Sequence, residues 1–180
     1  MKLCTVYPQG DFKADTWVKV YETTLTSAAT FVTISSLTGN TAIDYMLSIR
    51  CVNGYDGAII VYLYPNNDTT SANYGWQSLI GQDSSTLAQR SNASIRIGES
   101  DALGNMFWAN TILCAKSGYV RTAINNQSYR ITGTTVYTRE ITGQVWSNTA
   151  DEITSLVITA SQTDGLGAGT YICLYKRLDK

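Results

Sequence analysis

The 180-residue sequence contains no histidine. That excludes a Ser-His-Asp triad and a Cys-His dyad, and it removes the side chain that usually acts as a base near neutral pH. Charge is scarce too: Asp, Glu, Lys and Arg make up 15% of the chain and the formal net charge is −1. Neither nucleic acid nor a membrane surface is an expected partner, since both call for concentrated positive charge. No apolar run approaches the ~20 residues that span a bilayer as a helix. The Met1-Lys2-Leu3-Cys4 start lacks the apolar segment of a signal peptide, so synthesis in a cytoplasm is expected. The four cysteines, Cys4, Cys51, Cys114 and Cys173, are far apart and form no CxxC pair. Without paired ligand spacing or histidine a zinc site has no support, and no metal or cofactor is expected. Cys51, Cys114 and Cys173 lie in apolar runs and read as buried free thiols.

Apolar residues make up 44% of the chain, and the length suits one domain able to bury ~70% of its unfolded surface. Tyr45, Leu47, Ile49 and Cys51 alternate with polar Ser48 and Arg50, the period-two pattern of a strand with one buried face. Asn53, Gly54, Asp56 and Gly57 tolerate turn conformations, and the run Ala58 to Tyr64 follows, closed by Pro65. Tyr45–Asn53 and Ala58–Tyr64 are therefore expected to form a central hairpin, with the second strand covered on both faces. Further strand patterns occupy Trp17–Tyr21, Phe31–Leu37, Ile95–Gly98, Asn105–Ala115 and Tyr119–Ile124. Asn125-Asn126-Gln127-Ser128 reads as a turn. Val136–Ile141, Val145–Trp146, Glu152–Ala160 and Thr170–Tyr175 complete the series. About ten strands with turn signals between them, and no convincing helical period beyond a possible turn near Ser84–Arg90, predict an all-β fold. The expected architecture is an antiparallel two-sheet β-sandwich, jelly-roll-like, over residues 16–180, preceded by an N-terminal arm, Met1–Asp15.

Chemistry is thinly represented. Asp151 and Glu152 are adjacent and would point to opposite faces of a strand. Glu99 and Asp101 could share a face, but a solvated loop at a strand end is the favoured reading, since a carboxylate dyad also needs a shaped cleft. No catalytic residue is assigned, and the chain is expected not to be an enzyme. Asp68 to Arg90 reads as a long polar loop of the kind that is functional or covered by a partner. Asn66, Asn67 and Asp68 at its start, with Asn73, Tyr74 and Trp76 inside it, are the candidate contacts to a glycan or a partner. Amide and carboxylate groups there adjoin two rings that are apolar in body and polar at the edge, although pinning the loop to the sandwich is the role favoured for Tyr74 and Trp76.

Four stretches, in this order and spacing, carry a resemblance. They are Ile34-Ser-Ser-Leu-Thr-Gly before Tyr45-Met-Leu-Ser-Ile; Tyr64-Pro-Asn-Asn-Asp before Asn73-Tyr74; Ile95-Arg-Ile-Gly-Glu-Ser; and Ile153-Thr-Ser-Leu-Val-Ile before Gly169-Thr-Tyr-Ile-Cys-Leu-Tyr. The chain resembles the single-domain jelly-roll proteins of tailed-bacteriophage virions, found in heads and tail tips. Thr170 stands where that family often has serine. The resemblance implies a non-enzymatic structural component located in the virion. A capsid decoration or accessory role is expected ahead of a tail role because the lone compact domain has no coiled-coil heptads or fibre repeats of the kind a long tail fibre needs. The implied partners are other virion proteins, a major capsid or tail protein, and copies of this chain, with a homotrimer favoured. The alternative is a carbohydrate-binding module or host-adsorption domain that meets a surface glycan. Both the arm and the Asp68–Arg90 loop have few apolar anchors, so neighbouring subunits are expected to order them.

Overall fold

The computed structural model describes residues 17–82, 85–133 and 135–178. The arm Met1–Asp15, with Cys4, lies outside the described residues. The described chain is all β apart from two single 3-10 turns at Gly39–Thr41 and Ser71–Asn73. Twelve strands follow in order: β1 (Trp17–Thr24), β2 (Phe31–Ile34), β3 (Ala42–Val52), β4 (Ile59–Pro65), β5 (Tyr74–Gln82) and β6 (Ser85–Ser91), then β7 (Ile95–Ser100), β8 (Met106–Cys114), β9 (Arg121–Thr132), β10 (Thr135–Trp146), β11 (Leu156–Ala160) and β12 (Tyr171–Leu178).

They form two antiparallel sheets. The large sheet has the order β1-β12-β3-β8-β9-β10-β5-β6 and the small one β2-β11-β4-β7. β1-β12-β3-β8 opposed to β2-β11-β4-β7 is the double Greek key of a jelly roll. The remaining strands are two insertions, β5–β6 between β4 and β7 and β9–β10 between β8 and β11, and both widen the large sheet. Inward side chains alternate as the sequence predicts. Tyr45, Leu47, Ile49 and Cys51 on β3 meet Ile59, Val61 and Leu63 on β4, with Leu156 and Ile158 of β11 and Ile172 and Leu174 of β12 in the same core. Each such aliphatic side chain contributes about 1.5–3 kcal/mol on burial.

The expected hairpin does not form. β3 pairs with β12 and β8, whereas β4 pairs with β11 and β7, so the two strands lie in opposite sheets. The Asn53–Gly57 link crosses the edge of the sandwich because the Leu166–Gly167 bend captures it. Gly54 N–H donates to Gly165 O at 3.1 Å and Gly167 N–H to Val52 O at 2.8 Å. The approach needs glycine: a Cβ on Gly54 would stand 2.8 Å from Gly167 Cα. The outer face of β4 is half-buried rather than covered.

Three other expectations also change. Asp68–Arg90 is not a loop, because β5 and β6 pair from Trp76–Ser91 to Gln82–Ser85 and extend the large sheet. The helical turn expected near Ser84–Arg90 is therefore replaced by β6. Asn125–Ser128 is not a turn but the middle of β9, where buried Asn125 accepts from the Thr111 hydroxyl at 2.7 Å.

The free edge of β7 is closed by side chains. Gln144 of β10 accepts from Arg96 N–H at 2.7 Å, and Gln127 of β9 donates to Glu99 O, also at 2.7 Å. An edge strand otherwise exposes unpaired backbone groups. The bulge that aims Gln144 inward falls between Ile141 and Gln144, where Gly143 has φ 65°.

Candidate functional site

Five of the six residues singled out in the sequence, Asn66, Asn67, Asp68, Asn73 and Tyr74, come together at one corner, where β4 leaves the small sheet and β5 enters the large one; Trp76 lies further along β5 beside Arg96. Asn66 and Asn67 turn the chain with φ of 53° and 56°, a left-handed conformation that asparagine tolerates. The Asn66 side chain then ties β4 to the segment before β11. It donates to Glu152 O at 2.8 Å and accepts from Thr154 N–H at 2.9 Å. Asp68 is the hub of the other side. Its carboxylate accepts from Trp146 Nε1 and Asn73 Nδ2, both at 2.8 Å, and from Thr70 N–H at 3.0 Å. Burial pushes the Asp68 carboxyl up, and these donors together outweigh it and hold the group at about 2. Tyr74 OH donates to Asp68 O at 2.6 Å.

Tyr74 and Trp76 are 4% and 8% exposed. Their rings face into the protein, Tyr74 edge-on to Tyr64 at 5.8 Å and Trp76 under the Arg96 guanidinium. The two rings are therefore not a surface patch beside the Asn/Asp corner; they pin β5 to the sandwich, the role the sequence favoured for them. Alternation of Tyr74, Trp76, Ser78 and Ile80, all buried, is the signal that marks β5 as a strand. Of the six residues, only Asn67 is well exposed.

The carboxylates are engaged separately. Glu99 pairs with Arg96, and Asp101 accepts from Asn105 Nδ2 at 2.9 Å. Asp151 accepts from Asn148 Nδ2 at 2.7 Å, and Glu152 from Asn40 N–H at 3.1 Å. No group of three or more His, Cys, Asp or Glu able to hold a metal occurs among the described residues. No described helix is long and apolar enough to cross a membrane. Cys51 and Cys173 are buried free thiols as expected, whereas Cys114, on the outer face of β8, is only half-buried. Burial pushes the Cys51 thiol up to about 12.

Two surfaces remain that sequence reasoning did not single out. The first is the outer face of the large sheet. β8 turns Met106, Trp108 and Ile112 outward while Phe107, Ala109 and Leu113 face the core. Ile124 of β9 lies opposite Ile112, and Val136 of β10 opposite Arg130. Trp108 is 49% exposed and stands between two shallow depressions. Arg50 lines both, and Arg130 borders one of them. The second surface is a groove of about 390 Å³ on the outer face of the small sheet, beside Phe31, Tyr64 and Asn67.

Compared with known proteins, the chain matches no family model, no curated protein and no solved structure.

Proposed function

We propose that the protein is a non-enzymatic structural component of a tailed-phage particle, foremost a decoration protein of the capsid, and that it joins its neighbours through the outer face of the large sheet. The supporting observation is Trp108 with its surroundings. An exposed tryptophan flanked by Met106, Arg50 and Arg130 combines residue types enriched at protein interfaces, and Val136 adds to the apolar centre inside this cationic rim. The same sheet exposes Ile112 and Ile124 side by side. Leaving these side chains in water forgoes the stabilisation that burial would give, so the face favours a covering subunit. The rim charge selects a virion protein with an acidic border around an apolar recess. The double Greek key agrees with the resemblance seen in the sequence, which is what points to a phage particle.

Trp108→Ser tests this reading. The side chain is exposed, so the variant should fold, with an unchanged circular dichroism spectrum. Its copy number in purified particles, counted by mass spectrometry, should fall by about tenfold, the loss that truncating an interface anchor typically brings. Many copies of the unaltered chain per particle would place it in the head, and a few in the tail. A variant that loads as fully as the unaltered chain, or particles that contain none of either, would defeat the proposal.

A further inference from the structure

We propose that the groove on the outer face of the small sheet binds a neutral oligosaccharide. This goes beyond particle assembly and stands independently of it, since the groove lies on the sheet opposite to Trp108. It also differs from the glycan contact suggested by the sequence, sharing only Asn67 with those six residues.

The groove runs along β11 between β2 and β4. Val157 forms its floor, opposite Thr33 on one side and Tyr64 on the other. Phe31, opposite Thr159, stands at one wall and is 60% exposed. A pyranose has apolar C–H faces and a rim of hydroxyls that both donate and accept. An aromatic ring left in water, beside an apolar floor, suits the faces. The rim needs partners that can also do both, and the hydroxyls of Thr33 and Ser155 and the amide of Asn67 meet that need, while Thr159, whose hydroxyl donates to Thr30 O, can accept.

Charge narrows the class. Among the described residues, the groove lining holds no Asp, Glu, Lys or Arg. A phosphate, a carboxylated sugar or a charged peptide would enter without a countercharge and lose hydration in doing so. A neutral saccharide carries no such cost. The wall is also built in advance. Asn67 follows Asn66, whose amide is fixed between Glu152 and Thr154, and Tyr64 is packed against Tyr62 and Tyr74. Little ordering is left to accompany binding.

The test titrates the full chain with maltohexaose, cellohexaose, chitohexaose and mannohexaose, by calorimetry and by amide NMR shifts. At least one should bind and shift amides of β2, β11 and the Tyr64–Asn67 corner. Phe31→Ala, at an exposed position, should weaken that binding about tenfold. Asn67→Gly keeps the left-handed backbone and should weaken it less, and Trp108→Ser should leave it unchanged. The proposal is overturned if none of the four sugars binds at millimolar concentration, if Phe31→Ala binds as well as the unaltered chain, or if the shifts centre on the Trp108 face. A Phe31→Ala variant that changes oligomeric size while no sugar binds would assign the groove to a protein contact instead.

Discussion

Replacing Asp68 with Asn should destabilise the protein far more than a surface carboxylate would. The change keeps the shape and one acceptor oxygen but turns the other oxygen into a donor. The two strongest side-chain donors, Trp146 Nε1 and Asn73 Nδ2, both point at Asp68 Oδ2. If the new amide keeps its oxygen there, Thr70 N–H meets a donor instead; if it flips, the Trp146 N–H does, and Trp146 is fully buried. An unpaired donor of this kind costs about 1–3 kcal/mol. Loss of the charge acts as well. The folded carboxyl lies at about 2 against an ordinary value of 3.8, a depression that contributes about 1–2 kcal/mol at neutral pH once screening by nearby water is allowed for. The combined loss should be about 2–5 kcal/mol, or roughly 4–20 °C in Tm for a chain of this size. The sign of the pH dependence follows from the depressed value. The charge stabilises fully above about pH 4 and progressively less as pH falls towards 2, where Asp68 takes up a proton. Urea unfolding of both proteins across this range is the assay. The gap between them should be widest at neutral pH and narrow on acidification. A gap below about 0.5 kcal/mol at pH 7, the scatter of ordinary surface substitutions, would refute the reasoning. So would a gap that stays constant down to pH 2.5.

Two other expectations concern groups inside the sandwich. Arg121 is fully buried, stacks on Trp146 at 5.1 Å and donates to the carbonyls of Ala115, Asn148 and Asp151. Arg121→Met keeps the length and strands those carbonyls, so denaturant unfolding should show a loss of about 2–4 kcal/mol; a loss under about 1 kcal/mol would mean that the clamp is not holding the Asn148–Asp151 segment. Cys51, buried with its thiol pushed up, should resist a thiol reagent at neutral pH until the protein unfolds, while half-buried Cys114 reacts first; mass spectrometry of timed samples showing equal labelling of the two would contradict this placement.

Local pattern carried most of the strand assignment. The alternation of Tyr45 to Cys51 and the apolar run ending at Pro65 locate β3 and β4 closely. What turn residues do not encode is destination. Asn53 and Gly54 signal that the chain reverses, and whether it returns to the same sheet is decided by Leu166 and Gly167, more than a hundred residues away. β5 was hidden for a different reason. Gln77, Leu79 and Gly81 mask the buried series of Tyr74, Trp76, Ser78 and Ile80, and a buried serine breaks the apolar count. The candidate corner was legible as a place, since Asn66, Asn67, Asp68, Asn73 and Tyr74 do converge. Its surroundings were not, because Trp146 and Thr154, which turn it inward, come from remote segments. The groove gave no local sign at all: Phe31, Tyr64 and Val157 meet only through strand register.

The strand order has a consequence for how this chain can be made. β12 lies between β1 and β3, and β11 between β2 and β4. In each sheet, strands that leave the ribosome early are held apart until one that leaves late slots between them. A nascent chain that has not yet extruded Leu156–Leu178 has no means of joining β1 to β3 or β2 to β4, and both gaps present open backbone edges. Translation at ~5–20 residues per second makes that exposure last for seconds. The wait favours chaperone capture or pairing with a sister nascent chain on the same message, and it gives synonymous codon speed before Leu156 leverage over yield.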